Sequence, residues 1–319
     1  MNLKKHFLRA GLILLGSAFI LTSCDKDDET PASNTIADIV VSNANYSLLE
    51  QAVVRANLAA TLSGTGPFTV FAPDDAAFAA SGINAAAITA LTPTQLQTLL
   101  LYHTLGSEIK AASVPAGPNA KVTTASGDSV FVTRNASGVY INGIKVQTAD
   151  IDADNGVIHS IGRVLNPPVG NIVETAVASG LDSLVKAVLR ATNGPGGDPT
   201  LAGTLSTATL TVFAPTNAAF TQLLGALSLT NINDIPMPTL LAVLRYHVVA
   251  GRAFSSDLAN GNLGMLAGGN TTINLTNGTG GGPTVTGSGN GGNGSNITAT
   301  NIVCRNGVVH LIDRVLIPS

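Results

Sequence analysis

The sequence predicts an α+β fold that is present twice, as two tandem domains of similar size. Two observations support this prediction. First, three short motifs recur in the same order along the 319-residue chain, at offsets of 142, 144 and 151 residues. Offsets of this length are those of a whole domain rather than of a solenoid repeat. Second, helical periodicity comes first in each copy and strand-like alternation follows, which is typical of α+β domains.

Two of the repeated motifs are almost identical in the two copies. Residues 69–78 read TVFAPDDAAF, and residues 211–220 read TVFAPTNAAF. The other motif reads NGVIHSIGRVL at 155–165 and NGVVHLIDRVL at 306–316. We expect a residue that both copies keep to serve the shared fold, whereas a residue of one copy is free to serve a local function.

The third repeated feature is a Tyr-His pair between these motifs, and the second motif supplies another histidine. The doubled residues are Tyr102, His103, Tyr246 and His247 in the pairs, and His159 and His310 in the motif. A catalytic or metal-binding histidine would bring partners, and neither a carboxylate nor a free thiol accompanies these positions in both copies. We therefore expect structural histidines whose ring nitrogens bond to backbone groups near the domain core.

Together the three motifs resemble the fasciclin (FAS1) family, and the resemblance covers about residues 35–318. It implies that each copy is a small β-sandwich or wedge-like barrel with several helices packed along it. It also implies an extracellular adhesion or interaction module that is not an enzyme and holds no cofactor or metal. The resemblance places the Tyr-His pairs, Tyr102-His103 and Tyr246-His247, among the candidate adhesion residues.

The first half of each copy reads as helices around one strand. Apolar residues recur at helical spacing over 47–59 and again over 183–191. Strands are predicted over 68–72 and 210–214. A proline ends each strand and suits the first turn of the helix that follows.

Short polar side chains mark the helix starts. Asp74 and Asp75 of the first copy are replaced by Thr216 and Asn217 in the second. The fold therefore does not require paired carboxylates, and we expect these residues to cap a helix. Thr92, directly before a proline, predicts the start of a further helix that the Tyr-His pair closes.

The second half of each copy reads as antiparallel strands. In the first copy, β-branched residues alternate over 121–133, 139–146 and 157–165. The last of these strands follows an Asn-Gly pair, a strong tight-turn signal. The doubled turn residues are Asn155, Gly156, Asn306 and Gly307.

These elements place the first domain at 35–168 and the second at 169–319. The joint at 166–170 is short and proline-rich, which predicts a semi-rigid hinge with modest contact between the domains. The second domain has an insertion at 277–296, rich in Gly, Asn, Ser and Thr. Since it lacks carboxylates for a metal, we expect a flexible hairpin loop.

The start of the chain reads as a lipoprotein signal over residues 1–23. Basic residues precede an apolar run at 10–21 that is too short to span a bilayer. The run ends in Leu-Thr-Ser before Cys24, which resembles a bacterial lipobox. Acylation of Cys24 would anchor the chain in the membrane. An ordinary secretory signal with a chance cysteine is the alternative.

An acidic tether is predicted over residues 24–34. Its residues 25–29 read DKDDE. This run resembles the export tag with which some Gram-negative bacteria move lipoproteins to the cell surface, so we expect a surface-exposed outer-membrane lipoprotein. Retention on the inner leaflet of the outer membrane remains open, and a charge run is otherwise a solvated tether.

Net charge excludes one class of partner. The whole chain has a formal charge of −3, and removal of the leader brings it to about −6. Nucleic acid binding needs a basic surface, so we expect no nucleic acid partner. With Cys24 acylated, Cys304 would lack a second thiol within the chain for a disulfide.

One asymmetry between the copies lies just before the second motif. Asp150-Ile151 precedes it in the first copy, and Asn301-Ile302 stands at the same offset in the second. The resemblance associates an Asp-Ile pair at this position with integrin-dependent adhesion in animal relatives. Asp150 and Ile151 are therefore candidate adhesion residues, and an acidic loop residue before a strand is the alternative.

The sequence as a whole predicts a surface-anchored module for cell adhesion. Its expected partners are the membrane, through the lipid on Cys24, and an extracellular protein or polysaccharide. A saccharide-capturing lipoprotein of a glycan-uptake system is the alternative, although the scarcity of exposed aromatic residues for sugar stacking disfavours it. The sequence leaves the ligand and the oligomeric state open.

Overall fold

The computed structural model describes residues 34–319. The predicted signal at 1–23, Cys24 and nearly all of the tether lie outside the described residues. Residues 34–319 form two domains with the same order of strands and nearly the same order of helices. Each domain combines one seven-stranded sheet with several helices, which confirms the α+β class.

The first domain begins with helices and ends with strands. Its helices are α1 Ile36–Ser42, α2 Ser47–Arg55, α3 Ala59–Leu62, α4 Asp75–Ala80, α5 Ala85–Ala90 and α6 Pro93–Tyr102. Its strands are β1 Phe68–Pro73, β2 Thr104–Leu105, β3 Gly117–Thr123, β4 Ser129–Asn135, β5 Gly138–Ile141, β6 Ile144–Ala153 and β7 Gly156–Ile161.

The second domain repeats this order, except that a 3-10 turn, Ile232–Asp234, stands where α5 does in the first domain. Its helices are α7 Ile172–Ala178, α8 Asp182–Asn193, α9 Leu201–Thr207, α10 Asn217–Ala226 and α11 Met237–Arg245. Its strands are β8 Leu210–Pro215, β9 Val248–Ala250, β10 Gly261–Gly264, β11 Asn270–Asn274, β12 Thr284–Gly287, β13 Ser295–Cys304 and β14 Gly307–Ile312.

The strand order is the same in both sheets. It is β2-β1-β7-β6-β5-β4-β3 in the first domain and, read in the same direction, β9-β8-β14-β13-β12-β11-β10 in the second. The strand predicted at the start of each copy runs parallel to the last strand, with Val70 opposite Ile158 and Val212 opposite Val309. The other strand pairs of the described domains are antiparallel, as the alternation predicted.

Bulges in the long strands bend each sheet into a wedge. The register of β6 against β7 shifts on both sides of Thr148, and that of β13 against β14 shifts on both sides of Ala299. Bulges bend a strand and increase its twist. Each domain consequently has two cores, one between the helices and the sheet and one between the two arms of the sheet.

Short polar residues cap the helices where the sequence placed them. Oδ1 of Asp74 accepts the Ala77 amide at 2.7 Å, and Oγ1 of Thr216 accepts the Ala219 amide at 3.3 Å. Thr92 forms a reciprocal capping box at the start of α6. These contacts confirm that Asp74 and Thr216 cap the helices that follow the first strand.

The prediction of a flexible hairpin loop at 277–296 is wrong. Strand β12 lies inside this stretch and pairs with β11. Val285 lies in the core between the two arms of the second sheet and is completely buried. The alternating Thr and Val residues of β12 suit a pleated strand, and β11 provides the strand with which it pairs. The glycines around β12 hide this short strand in the sequence, because glycine is typical of loops.

The two domains also contact each other more closely than the short joint predicted. The rings of Phe131 in the first domain and Phe254 in the second lie 6.0 Å apart. The guanidinium of Arg252 stacks over Phe131 at 4.0 Å, and the side-chain amide of Asn119 donates to the Arg252 carbonyl at 2.6 Å. Aromatic packing and a polar rim therefore hold the domains together.

Candidate functional site

His103 connects the end of α6 to the segment that follows the last strand. Its Nδ1–H donates to the Leu99 carbonyl at 2.8 Å, and its Nε2 accepts the Leu165 amide at 2.9 Å. An amide N–H can only donate, so Nε2 is unprotonated and Nδ1 has the proton. Both ring nitrogens are consequently used within the domain, and the side chain is 2 % exposed.

His247 repeats this arrangement in the second domain. Its Nδ1–H donates to the Val243 carbonyl at 2.7 Å, and its Nε2 accepts the Leu316 amide at 2.9 Å. Burial in both domains disfavours the charged ring and lowers the pKa of His103 and His247 from 6.5 to about 4. Each ring is therefore neutral at physiological pH.

His159 connects the last strand of the first domain to two neighbouring segments. Its Nε2–H donates to the Ile109 carbonyl at 2.8 Å, and its Nδ1 accepts the Asp150 amide at 3.2 Å. The ring stacks against Phe71 with centroids 5.9 Å apart. Its nitrogens are thus paired with backbone groups.

His310 occupies the same place in the second domain. Its Nε2–H donates to the Ala253 carbonyl at 2.9 Å, and its Nδ1 accepts the Asn301 amide at 3.4 Å. It stacks on Phe213 at 5.5 Å. Burial lowers the pKa of His310 from 6.5 to about 4, so this ring is also neutral at physiological pH.

The paired tyrosines are anchored through their hydroxyl groups. Tyr102 donates to the Ser129 carbonyl at 3.1 Å and accepts from Nδ2 of Asn142 at 3.0 Å. The Tyr246 hydroxyl accepts the Ser288 amide at 3.1 Å. Burial raises the pKa of Tyr102 to about 12, which keeps its phenol protonated.

The four candidate adhesion residues of the Tyr-His pairs therefore lie inside the domains. Tyr102, His103, Tyr246 and His247 are all buried. A binding partner cannot touch them without unpacking a core. Their role in adhesion stays a prediction, and in this structure it would act through the shape of the scaffold.

Asn155 joins the start of the first domain to its end. Its Oδ1 accepts the Ile36 amide at 2.9 Å. Its Nδ2 donates to the carbonyls of Leu62 and Gly64, each at 2.8 Å. This one side chain therefore bonds to the first amide of α1 and to two carbonyls at and just after the end of α3.

Asn306 makes the same three contacts in the second domain. Its Oδ1 accepts the Ile172 amide at 2.9 Å. Its Nδ2 donates to the carbonyls of Leu205 at 2.9 Å and Ala208 at 2.8 Å. The Asn of the Asn-Gly pair is thus a tertiary connector as well as a turn residue.

The Gly of this pair is required by a close approach of two strands. A Cβ on Gly156 would lie 2.0 Å from the Phe68 carbonyl oxygen, and one on Gly307 would lie 2.1 Å from that of Leu210. Gly156 also has a φ of 149°. Any side chain here would push the first strand away from the last.

Asp150 and Asn301 do the same structural work with different side chains. Both adopt a left-handed conformation, with φ of 58° and 64°. Oδ1 of Asp150 accepts the Ala111 amide at 2.9 Å, and Oδ1 of Asn301 accepts the Ser255 amide at 2.8 Å. The Asp150 side chain remains 37 % exposed, whereas Ile151 packs against the helical core. Of this candidate pair, Asp150 is accessible to a partner.

The sequence reasoning missed two surface positions that both domains share. Val41 and Val177 are the sixth residues of α1 and α7 and are 59 % and 60 % exposed. Val54 and Leu189 are the eighth residues of α2 and α8 and are 59 % and 52 % exposed. The available signal was an aliphatic residue outside the buried stripe at the same helical position in both copies.

Within residues 34–319, no group of three or more His, Cys, Asp and Glu side chains is arranged to hold a metal ion. None of the helices between Asn34 and Ser319 combines the length and apolar character needed to span a bilayer.

Known proteins with similar sequences match segments about one domain long. A segment of this chain is 37 % identical over 142 residues to protein sll1483 of Synechocystis sp., which is 44 % of this chain and 77 % of that protein. Another match is transforming growth factor-beta-induced protein ig-h3 of Sus scrofa, 35 % identical over 139 residues, or 44 % of this chain. The matched segment spans only 20 % of the ig-h3 protein.

One solved structure that this chain matches is a FAS1 domain pair from the insect cell adhesion molecule Fasciclin I. It is 16 % identical, with a TM-score of 0.38, and the match covers 88 % of this chain and 95 % of that one. The Fasciclin domain family itself matches residues 44–167 and 196–318. These two ranges contain most of the chain and the doubled histidine, tyrosine and Asn-Gly positions, so the protein belongs to the Fasciclin domain family, with two domains in tandem.

Proposed function

We propose that this protein is a non-catalytic adhesion module displayed on the surface of a bacterial outer membrane. A lipid on Cys24 would anchor it, and the tandem domains would bind an extracellular protein or polysaccharide. Family membership supports an interaction role. The buried histidines support it further, because their ring nitrogens are already paired with backbone groups.

One observation carries the proposal. Both domains expose an aliphatic side chain at the same two helical positions, Val41 with Val177 and Val54 with Leu189. Single exposed aliphatic residues are normal on protein surfaces. Their repetition at matching positions in both domains is not explained by core packing, because these side chains are exposed. Burying one fully against a partner would contribute about 1.5–3 kcal/mol.

The duplication itself strengthens such binding. A partner that presents repeated sites can engage both domains, and the second contact then forms at a high effective concentration. The contact between Phe131 and Phe254 fixes the relative position of the two exposed sets. A fixed spacing favours a partner with regularly repeated sites.

The proposed anchor would hold the domains close to the membrane. Nine residues lie between Cys24 and Asn34. The ten residue-to-residue steps from Cys24 to Asn34 can span at most about 35 Å. Replacement of Cys24 by Ala should move the protein from the membrane fraction to the soluble fraction, and mass spectrometry of the wild-type amino terminus should show the acyl chains. An unmodified wild-type amino terminus would refute the anchor.

Adhesion can be tested with cells that display the full-length chain. We expect these cells to attach to at least one surface in a set of extracellular matrix proteins and polysaccharides, above cells without the protein. Combined replacement of Val54 and Leu189 by Ser should reduce attachment. Val169→Ser is the matched control, because Val169 is 67 % exposed in the joint and is not doubled. Equal attachment by the double variant and the control would contradict the proposal.

A further inference from the structure

A cleft between the two domains has an unusual charge. Its volume is about 360 Å³. Three cations line it, Lys121 from the first domain and Arg252 and Arg305 from the second, together with one acid, Asp128. Residues 34–319 as a whole have more acidic than basic side chains. The cleft therefore concentrates positive charge in an acidic protein.

Arg252 is the innermost of these cations. It stacks on Phe131, and its Nη atoms donate to the backbone carbonyls of Cys304, Arg305 and Gly307. Among residues 34–319, its Nε–H donates to no acceptor and no carboxylate lies within 4.0 Å. Burial lowers the pKa of Arg252, although the guanidinium stays charged at neutral pH.

The two outer cations are also unopposed within the described chain. No carboxylate of residues 34–319 lies within ion-pair distance of Lys121 or Arg305. Both side chains are exposed at the rim of the cleft. A ligand that supplies an anion here would add charge-assisted hydrogen bonds without displacing an existing ion pair.

Asp128 restricts the chemical class of ligand that the cleft can bind. Its carboxylate would repel an anion of high charge density, but it accepts hydrogen bonds from hydroxyl groups. Ser129 and Thr209 add hydroxyl groups to the same wall. The cleft therefore suits a molecule with both a carboxylate and several hydroxyls.

We propose that this cleft binds an acidic saccharide, with a uronate carboxylate held by Arg252, Arg305 and Lys121 and the ring hydroxyls facing Asp128. A volume of about 360 Å³ is within the range of small-molecule sites. Because both domains supply cations, the bound sugar would bridge them. This inference names a ligand class for the proposed interaction module and rests on that function.

Binding can be measured by isothermal titration of the purified full-length chain with tri-galacturonate. We expect saturable binding that weakens as salt rises from 50 to 200 mM, because cations at the rim are screened. Maltotriose, a neutral trisaccharide, should not bind. Absence of tri-galacturonate binding at 50 mM salt, or equal binding of maltotriose, would overturn the proposal.

Variants at the rim test the location. Combined Lys121→Gln and Arg305→Gln changes remove two exposed charges and should weaken binding by about tenfold or more, since each lost charge-assisted bond contributes substantially. The matched control combines Lys145→Gln and Lys186→Gln, two exposed lysines outside the cleft with the same total change of charge. Equal weakening by the two pairs would show a general charge effect and refute the site.

Competition distinguishes other ligands from the proposed one. Inorganic sulfate or an acidic peptide that binds the cleft as tightly as tri-galacturonate would overturn the assignment to saccharides. The attachment experiment separates the two proposals. Attachment by cells that display the unaltered chain, when the purified chain does not bind tri-galacturonate, would refute this site and leave the adhesion function standing. Saccharide binding without attachment would refute adhesion and leave a saccharide-capturing lipoprotein.

Discussion

The amide of Leu165 donates a hydrogen bond of 2.9 Å to Nε2 of His103, across 62 positions of the chain. The amide of Leu316 makes the same bond to His247 across 69 positions. In each domain, the ring thus ties the end of one helix to the segment that leaves the last strand. A protonated ring cannot accept this bond, so the contact requires a neutral histidine.

Stability should therefore fall in mild acid. The folded-state pKa of His103, His247 and His310 is about 4, below the ordinary 6.5. Between these values the unfolded chain binds more protons, so the histidine contribution to the unfolding free energy decreases as pH falls from 6.5 to 4 and is constant below 4. Each histidine contributes on the order of 3 kcal/mol to the total loss. Denaturant titrations at pH 7.5, 6, 5 and 4 measure it.

A variant isolates the histidine contribution from that of the carboxylates. His247→Gln should lower the slope of the unfolding free energy against pH by roughly 1.4 kcal/mol per pH unit near pH 5. This change corresponds to the loss of about one proton from the difference between the folded and unfolded states. Nuclear magnetic resonance gives an independent measurement, since the buried rings should not titrate between pH 8 and 5. A midpoint near 6.5 for His103 or His247 would contradict the mechanism.

Gly156→Ala should strongly destabilise the first domain. The new Cβ would lie 2.0 Å from the Phe68 carbonyl oxygen, so the first strand must move away from the last. We expect a loss of about 3 kcal/mol or more in unfolding free energy, measured by thermal and denaturant unfolding. Gly106→Ala is the control, because a Cβ there meets no atom within 4 Å. Similar losses in both variants would refute the close-approach argument.

Replacement of Asp150 separates structure from recognition. Asp150→Asn keeps an Oδ1 acceptor for the Ala111 amide, as Asn301 does for Ser255, and should change the unfolding free energy by less than about 0.5 kcal/mol. Asp150→Ala loses that acceptor and should cost about 1 kcal/mol. Differential scanning calorimetry measures both. If the carboxylate itself contacts a partner, Asp150→Asn also reduces attachment. Equal stability loss in both variants would refute the role of Oδ1 as acceptor for the Ala111 amide.

Phe131→Ala should uncouple the two domains. It removes the ring that contacts Phe254 and supports the Arg252 guanidinium. We expect one calorimetric transition to separate into two, with a loss of about 2–4 kcal/mol in the coupled unfolding free energy. Phe68→Ala, a partly buried position in the first domain away from the joint, should destabilise that domain alone. A single transition in the Phe131 variant would contradict this coupling.

Local helix chemistry could be predicted from the sequence, whereas contacts across the fold could not. Asp74 and Thr216 cap the amides three residues onward, a distance fixed by helix geometry. Asp75 stands next to one of them but accepts the Leu48 amide at 2.9 Å, and Asn217 does the same for Ser183. These partners are distant in sequence, and only the packing of the helices brings them together.

The doubled sequence motifs identified residues that stabilise the shared fold better than they identified residues of the surface. It identified His159 and Asn155 as shared positions, but not the particular carbonyls they reach. It gave no indication of the cleft around Arg252, because that residue has significance only where two domains meet. Strand β12 was not predicted, because its structure depends on pairing with β11, and the glycine-rich sequence around it does not indicate that pairing.

The parallel pairing of the first and last strands in each domain constrains biosynthesis. As the chain emerges, β1 and β8 must wait for β7 and β14, and until then each has a bare hydrophobic edge able to pair with another molecule. A stop codon before Gly307 would leave the edge of β8 that pairs with β14 permanently open, so such a truncated product should precipitate rather than accumulate as a smaller soluble protein.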